Sequence, residues 1–198
     1  MKSICYYGLI IFTIFLFTNC KKDKNPVISN DDISGFSFFP LQIGNQWIYN
    51  EQFPQTETIV NEAIFNGTTY YNIEGSHILQ PDFWITEKDH ALYFLNTEDT
   101  SEHLLFDFAA NYGDSWAMPD GFECVFGDSI TFMSDTVTVY ALNDTFYNCY
   151  HFQYKKVCND GGLLDTWIAK RIGIVKVSKT LGLDIMIIYW VVTQLKMV

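Results

Sequence analysis

Apolar and polar residues alternate along most of this chain in short runs, and Gly, Asn and Asp separate the runs. A period of two marks a strand with one covered face. Val137, Val139 and Ala141 against Thr136, Thr138 and Tyr140 is a clear case. The pattern predicts strands over 47–53, 56–65, 69–79, 83–86, 91–95, 122–126, 130–132, 136–142, 146–157, 163–169, 173–178 and 185–195. In the second of these Ile59, Ala63 and Phe65 fall on one parity, hence on one face. Residues 104–108 read as a strand or a single helical turn. Asn66-Gly67 is a strong two-residue hairpin signal. The apolar run 185–192 is too short to span a bilayer and reads as a central strand buried on both faces. Long segments of helical period are absent. The expected fold is all-β: an antiparallel sandwich or an incomplete barrel of about a dozen strands.

Two stretches share a local pattern. Gly44-Asn45 precedes Trp47 by two residues, and Gly113-Asp114 stands likewise before Trp116. Each reads as a tight turn, with a glycine free to take positive φ, that opens a strand and sends its Trp into the core.

The first residues depart from this regime. Met1-Lys2 is a positive start, residues 4–17 are an apolar run, and Cys20 follows. The run is shorter than the roughly 20 residues of a membrane-spanning helix and fits a secretory signal. Leu16-Phe17-Thr18-Asn19-Cys20 resembles a bacterial lipobox, although Phe17 and Asn19 depart from its strictest form. An ordinary cleaved signal with an incidental Cys is the rival reading. The expected organisation is a lipoprotein signal peptide over 1–19, a lipidated Cys20 and flexible polar tether over 20–35, and a single β domain over 36–198. Lys21-Lys22-Asp23-Lys24 carries neither an inner-membrane retention Asp after the Cys nor an acidic surface-export signal. The expected location is therefore the outer membrane, lipid-anchored, with the face left open.

Aromatic residues make up 17% of the chain and its formal net charge is −11. The aromatic load favours strands. Lys88 is the sole Lys or Arg between positions 31 and 154. A chain this acidic is a poor partner for phosphates, so a nucleic-acid partner is not expected.

Five further segments resemble, as a set, a group of Bacteroidota lipoproteins. That group opens its domain with FPLxxGNxWxY, matched here by residues 39–49. It continues with a tyrosine-rich hairpin (83–94), LLxDFxxxxGDxW (104–116), an NCxxV strand (from Asn148-Cys149-Tyr150) and GxGxVK (through Gly173-Ile174-Val175-Lys176). Trp84 stands where the group's hairpin usually has Tyr, and that hairpin lacks a Gly at its turn. Arg171-Ile172 lacks the Pro-Gly common before the last motif. The resemblance implies a lipid-anchored β domain and attaches no activity to it.

Candidate chemistry is sparse. Cys5 falls in the signal, leaving Cys124, Cys149 and Cys158 in the domain. In an oxidising compartment the expected disulfide joins Cys124 with Cys149 or Cys158, because Cys149 and Cys158 share one extended stretch and would stand far beyond the roughly 6 Å that a disulfide spans. Three free thiols are the alternative. His77, His90 and His103 lie on different elements, and neither a close His pair nor a thiolate motif points to zinc. Asp114, Asp120, Glu123 and Asp128 crowd one turn-rich stretch without the every-second-residue pattern of a calcium loop. A Gly-x-Ser-x-Gly elbow is missing. No catalytic residue, metal or cofactor is expected. The binding candidates are Tyr70, Tyr71, Trp84 and Tyr93, rings clustered on neighbouring hairpins and suited to stacking on a sugar or another flat ligand.

Three functional readings follow. The first is a non-enzymatic envelope protein that binds a glycan, a lipid or another envelope protein. The second is a carrier of an apolar ligand inside a half-barrel, prompted by strands apolar on both faces. The third is a hydrolase of envelope polymers.

Overall fold

The structure, a computed structural model, describes residues 37–49, 55–75, 83–120, 127–140, 144–156, 162–181 and 185–196. These form an all-β, wholly antiparallel fold, as the alternation predicts. The strands are β1 (Gln46–Tyr49), β2 (Gln55–Phe65), β3 (Thr68–Glu74), β4 (Phe83–Lys88), β5 (Ala91–Leu95) and β6 (Glu102–Asp107), followed by β7 (Ser115–Ala117), β8 (Ser129–Tyr140), β9 (Thr145–Lys156), β10 (Gly162–Ala169), β11 (Gly173–Leu181) and β12 (Ile185–Lys196). The expected strand at 122–126 lies outside the described residues.

Every strand pairs with its neighbours in sequence except β6 with β7, which are the two edges, and β1 also pairs with β12. The order is therefore that of an up-and-down barrel broken between β6 and β7. Two six-strand wings, β1–β6 and β7–β12, meet at the β1–β12 seam, where Gln46 faces Lys196 and Trp47 faces Leu195.

Rings fill the interior where the break occurs. Phe106 at the β6 edge lies 4.7 Å from Phe152 of β9 and 6.0 Å from Tyr154. Phe108 stacks on Phe38 at 3.8 Å and meets Phe152 at 5.8 Å. The first wing thus curls over the second and closes on it with side chains instead of backbone hydrogen bonds. Ile59, Ile73, Ile85, Phe94, Phe152, Ile168 and Ile174 form the inner face of the same core.

Both Gly-x-x-Trp turns have the predicted form, down to the same three hydrogen bonds. Gly44 has φ 93° and Gly113 has φ 86°. Gly44 N donates to Ile59 O at 2.8 Å, Ile59 N to Asn45 O at 3.0 Å, and Asn45 N to Gln42 O at 3.1 Å. In the second wing Gly113 N donates to Phe132 O, Phe132 N to Asp114 O and Asp114 N to Asn111 O, each at 2.9 Å. Each turn thus starts its wing and splices it onto the following strand. Trp47 is fully buried, and Trp116 is half-buried against the core.

Of the two readings of residues 104–108, the strand holds for 104–107, within β6, and Phe108 stands in the turn after it. Two local expectations change. The two strands expected over 130–132 and 136–142 are one twelve-residue strand, β8. Ser134 and Asp135 do not end it, because register shifts against β9 absorb the irregularity. In β2 a register shift between Ile59 and Asn61 separates the predicted face: Ile59 pairs with Ile73 inside, whereas Ala63 pairs with Tyr70 on the outer side.

Candidate functional site

The four candidate rings sit on the first wing but not on one face. Cross-strand partners share a face, so Tyr71, opposite Ile85, points inward and packs on the core. Tyr70, Trp84 and Tyr93 point outward. Phe65 joins them edge-on, 5.7 Å from Tyr70 and 5.6 Å from Trp84. Glu102 of β6 ties the patch together. It accepts from the Tyr70 hydroxyl and from Lys88 Nζ at 2.6 Å, while the Lys88 ammonium lies 4.9 Å from the Tyr93 ring. Burial, then the bond to Glu102, raises the Tyr70 phenol, and burial raises that of Tyr93. Bonding to Glu102 raises Lys88. Tyr70 is only 3% exposed, so its ring is closed to a ligand. Trp84 and Tyr93 are half-buried. The patch is a cross-linked outer layer that offers parts of two rings.

The second wing carries a polar cluster that sequence reasoning missed. The register of β9 on β10 sets His151 opposite Trp167 and Gln153 opposite Asp165. His151 Nε2 lies 2.7 Å from Asp165 Oδ1, and Gln153 Nε2 donates to the same oxygen at 3.0 Å. The imidazole stacks on Trp167 at 4.6 Å, and Lys176 Nζ from the opposite neighbouring strand lies 4.4 Å from that indole. Burial lowers Lys176, with Asp165 acting in the other direction. Its signal in the sequence is the run Asn159-Asp160-Gly161-Gly162 between the stretches 146–157 and 163–169; the histidines weighed above were three others. Among the described residues neither a hydroxyl nor a thiol bonds the His151 ring. The cluster therefore has an imidazole and its carboxylate without a nucleophile.

Ser101 and His103 come nearer to a nucleophile and base, with Oγ 2.7 Å from Nε2. The serine proton, however, goes to Asp99 Oδ1 at 2.5 Å, and the Ser101 backbone N–H donates to the same carboxylate. Ser101 and Asp99 bonding lowers that carboxyl further. The hydroxyl is held as a turn element and is not presented to the imidazole as an acid. His90 sits in the β4–β5 turn with φ 61°, and His77 lies outside the described residues.

The acidic stretch and the cysteines are placed in part. Asp114 Oδ2 accepts from Asn111 N at 2.8 Å and so belongs to its turn. Glu123 lies outside the described residues, and among those described no group of three His, Cys, Asp or Glu is placed to hold a metal ion. Cys149 is a free, buried thiol whose pKa burial pushes up to about 12. The expected disulfide of Cys124 with Cys149 or Cys158 involves Cys124, which, like Cys158 and Cys20, lies outside the described residues.

Where the chain enters the domain there is a depression of about 280 Å³ lined by Ser37, Pro40, Gln42, Asn45 and Arg171. Asn45 Nδ2 spans part of it by donating to Pro40 O at 2.7 Å. Elsewhere the surface offers large exposed side chains: Tyr140 is 78% exposed and Tyr147 is 68% exposed, both at the tip of the β8–β9 hairpin, and Ile64 is 73% exposed on β2.

No family model matches this chain, and no curated protein matches it. Among solved structures it is similar to a chain from Bacteroides fragilis described as a "putative exported protein with YmcC-like fold". The two share 16% identity with a TM-score of 0.50, over 82% of this chain and 100% of the other. It also resembles a chain from Parabacteroides distasonis described as a "putative lipoprotein", at 14% identity and a TM-score of 0.48, over 81% of this chain and 99% of that one. The first likeness shows the fold: a curled, all-antiparallel sheet.

Proposed function

We propose that this protein is exported, held at the outer membrane by lipid on Cys20, and works without catalysing a reaction, by binding another envelope component through the outside of its sheet. The lipobox-like run ending at Cys20 supports the anchor, and the fold shared with a chain described as exported agrees with it. The resemblance to Bacteroidota lipoproteins points the same way.

The observation that carries the binding role is the ring packing between the wings among the described residues. Between the wings, rings from Phe38, Phe106, Phe108, Phe132, Phe152 and Tyr154 meet at van der Waals spacing where a carrier would hold its ligand. Recognition is then left to the surface, where Tyr140 and Tyr147 stand out; aromatic side chains of this kind are enriched at protein interfaces.

Native mass spectrometry of the full chain extracted from membranes tests this. The expected mass is the polypeptide with its covalent lipid on Cys20. A stoichiometric noncovalent lipid would favour the carrier, and a Cys20→Ala protein that stayed with the membrane fraction would contradict the anchor.

A further inference from the structure

Strand β8 is twelve residues long, but its outer neighbour β7 covers only its beginning, pairing Ser115 to Ala117 with Thr131 to Ser129. The Phe132–Asp114 and Gly113–Phe132 bonds, both 2.9 Å, extend this ladder by one residue and end it. Among the described residues no strand pairs with positions 134–140 on that side, although β9 holds the other side as far as Tyr140 opposite Thr145. The exposed stretch is Ser134-Asp135-Thr136-Val137-Thr138-Val139-Tyr140. It is rich in β-branched residues and has neither Pro nor Lys, which commonly blunt a sheet edge, although register shifts against β9 fall at Ser134/Val137 and Val137/Val139. Within the stretch, Thr136 N also donates to Ser134 Oγ at 3.3 Å.

Resting on the surface-recognition reading, we propose that the outer edge of β8, residues 134–140, is a strand-addition site for an extended, basic polypeptide segment. The backbone dictates the class of partner. A row of N–H and C=O groups spaced along an extended strand is matched in period by another extended backbone. Charge dictates the composition. Asp135 is exposed within the edge, Asp144 follows in the hairpin turn, and neither Lys nor Arg occurs from position 89 to 154. Like charge disfavours a second copy as occupant, since each chain carries −11. Tyr140 and Tyr147 at the end of the edge give an added strand two rings to pack on.

The test uses the full chain in detergent and three synthetic heptapeptides: one alternating Lys with Val and Thr, its Glu counterpart, and the Lys peptide N-methylated at every second amide in either phase. Amide hydrogen exchange with the Lys peptide should slow across 134–140. The Glu peptide should bind more weakly, and one N-methylated phase should lose binding. Asp135→Lys, at an exposed position that leaves the core untouched, should weaken the Lys peptide by roughly tenfold. Protection elsewhere, equal binding of the Lys and Glu peptides, binding by both N-methylated phases, or no protection at millimolar peptide would each overturn the proposal. So would a concentration-dependent dimer that protects 134–140. Protection mapped to another surface leaves the binding role standing and removes only this edge; a co-purified lipid in the native mass spectrum removes the role itself.

Discussion

At the scale of single residues, Gly173 shows how the two ends of the domain are fitted together. It has φ 90°, and a Cβ there would lie 3.1 Å from Trp47 Nε1 and 3.2 Å from two carbons of the Phe39 ring. The Trp47 indole donates to the neighbouring Ile172 carbonyl. Gly173→Ala is therefore expected to destabilise by about 2–4 kcal/mol, from backbone strain and overpacking together, read as a lower urea midpoint. Buried phenols set the response to alkali. Tyr49 is raised by burial and by Glu57, Tyr70 by burial and Glu102, and Tyr154 by burial. The unfolded chain loses these protons near the ordinary tyrosine pKa of about 10, while the folded chain keeps them. Their contribution is whole below that pH and is lost as pH rises through the folded values. The lowered Lys176 acts oppositely, but it is one group against three. Urea midpoints should fall steadily above about pH 10; a flat profile to pH 11.5, roughly, would mean that these phenols are not held neutral. Cys149 should resist alkylation in the native protein at pH 8 or so and react once the chain is unfolded, which peptide mapping reads directly.

At the scale of elements, the turns were far more legible than the faces. Gly44 and Gly113 announced two equivalent strand starts because a tight turn needs positive φ there, and their hydrogen bonds match one for one. Residues 130–142 misled because a Ser-Asp pair usually signals a break, whereas bulges against β9 carry the strand through it. The same physics hid the outward turn of Ala63, since one extra residue reverses every side chain beyond it. The His151–Asp165 pair was invisible to a search for nearby motifs, because only the hairpin register brings the two together. Tyr70 was legible as part of a ring cluster, but its 3% exposure depends on neighbours that no single segment encodes. The β8–β9 tip is the element expected to separate function from stability. Tyr140→Ser and Tyr147→Ser should each change unfolding free energy by less than about 0.5 kcal/mol, as exposed substitutions do, so that any loss of binding is not a loss of fold.

At the scale of the molecule, a nearly cyclic strand order explains why rings crowd the open side of the sheet among the described residues. A barrel closed by backbone bonds could enclose a cavity. Here the ring stays open between β6 and β7, and Phe106 and Phe108 must cover the gap by packing on β9. Part of the aromatic 17% of the chain serves this closure of an unclosed sheet. On the outside, the β8–β9 tip brings together two of the most exposed rings among the described residues, with Tyr112 in the turn before β7 as a third. The most direct measurement is photo-crosslinking in living cells, with a benzophenone amino acid placed at Tyr140, at Tyr147 and, as a control of similar exposure on the other wing, at Ile64. Adducts to an envelope protein at 140 and 147 but not at 64 are the predicted result. Silence at both tyrosine positions, or the same adducts at all three, would contradict it.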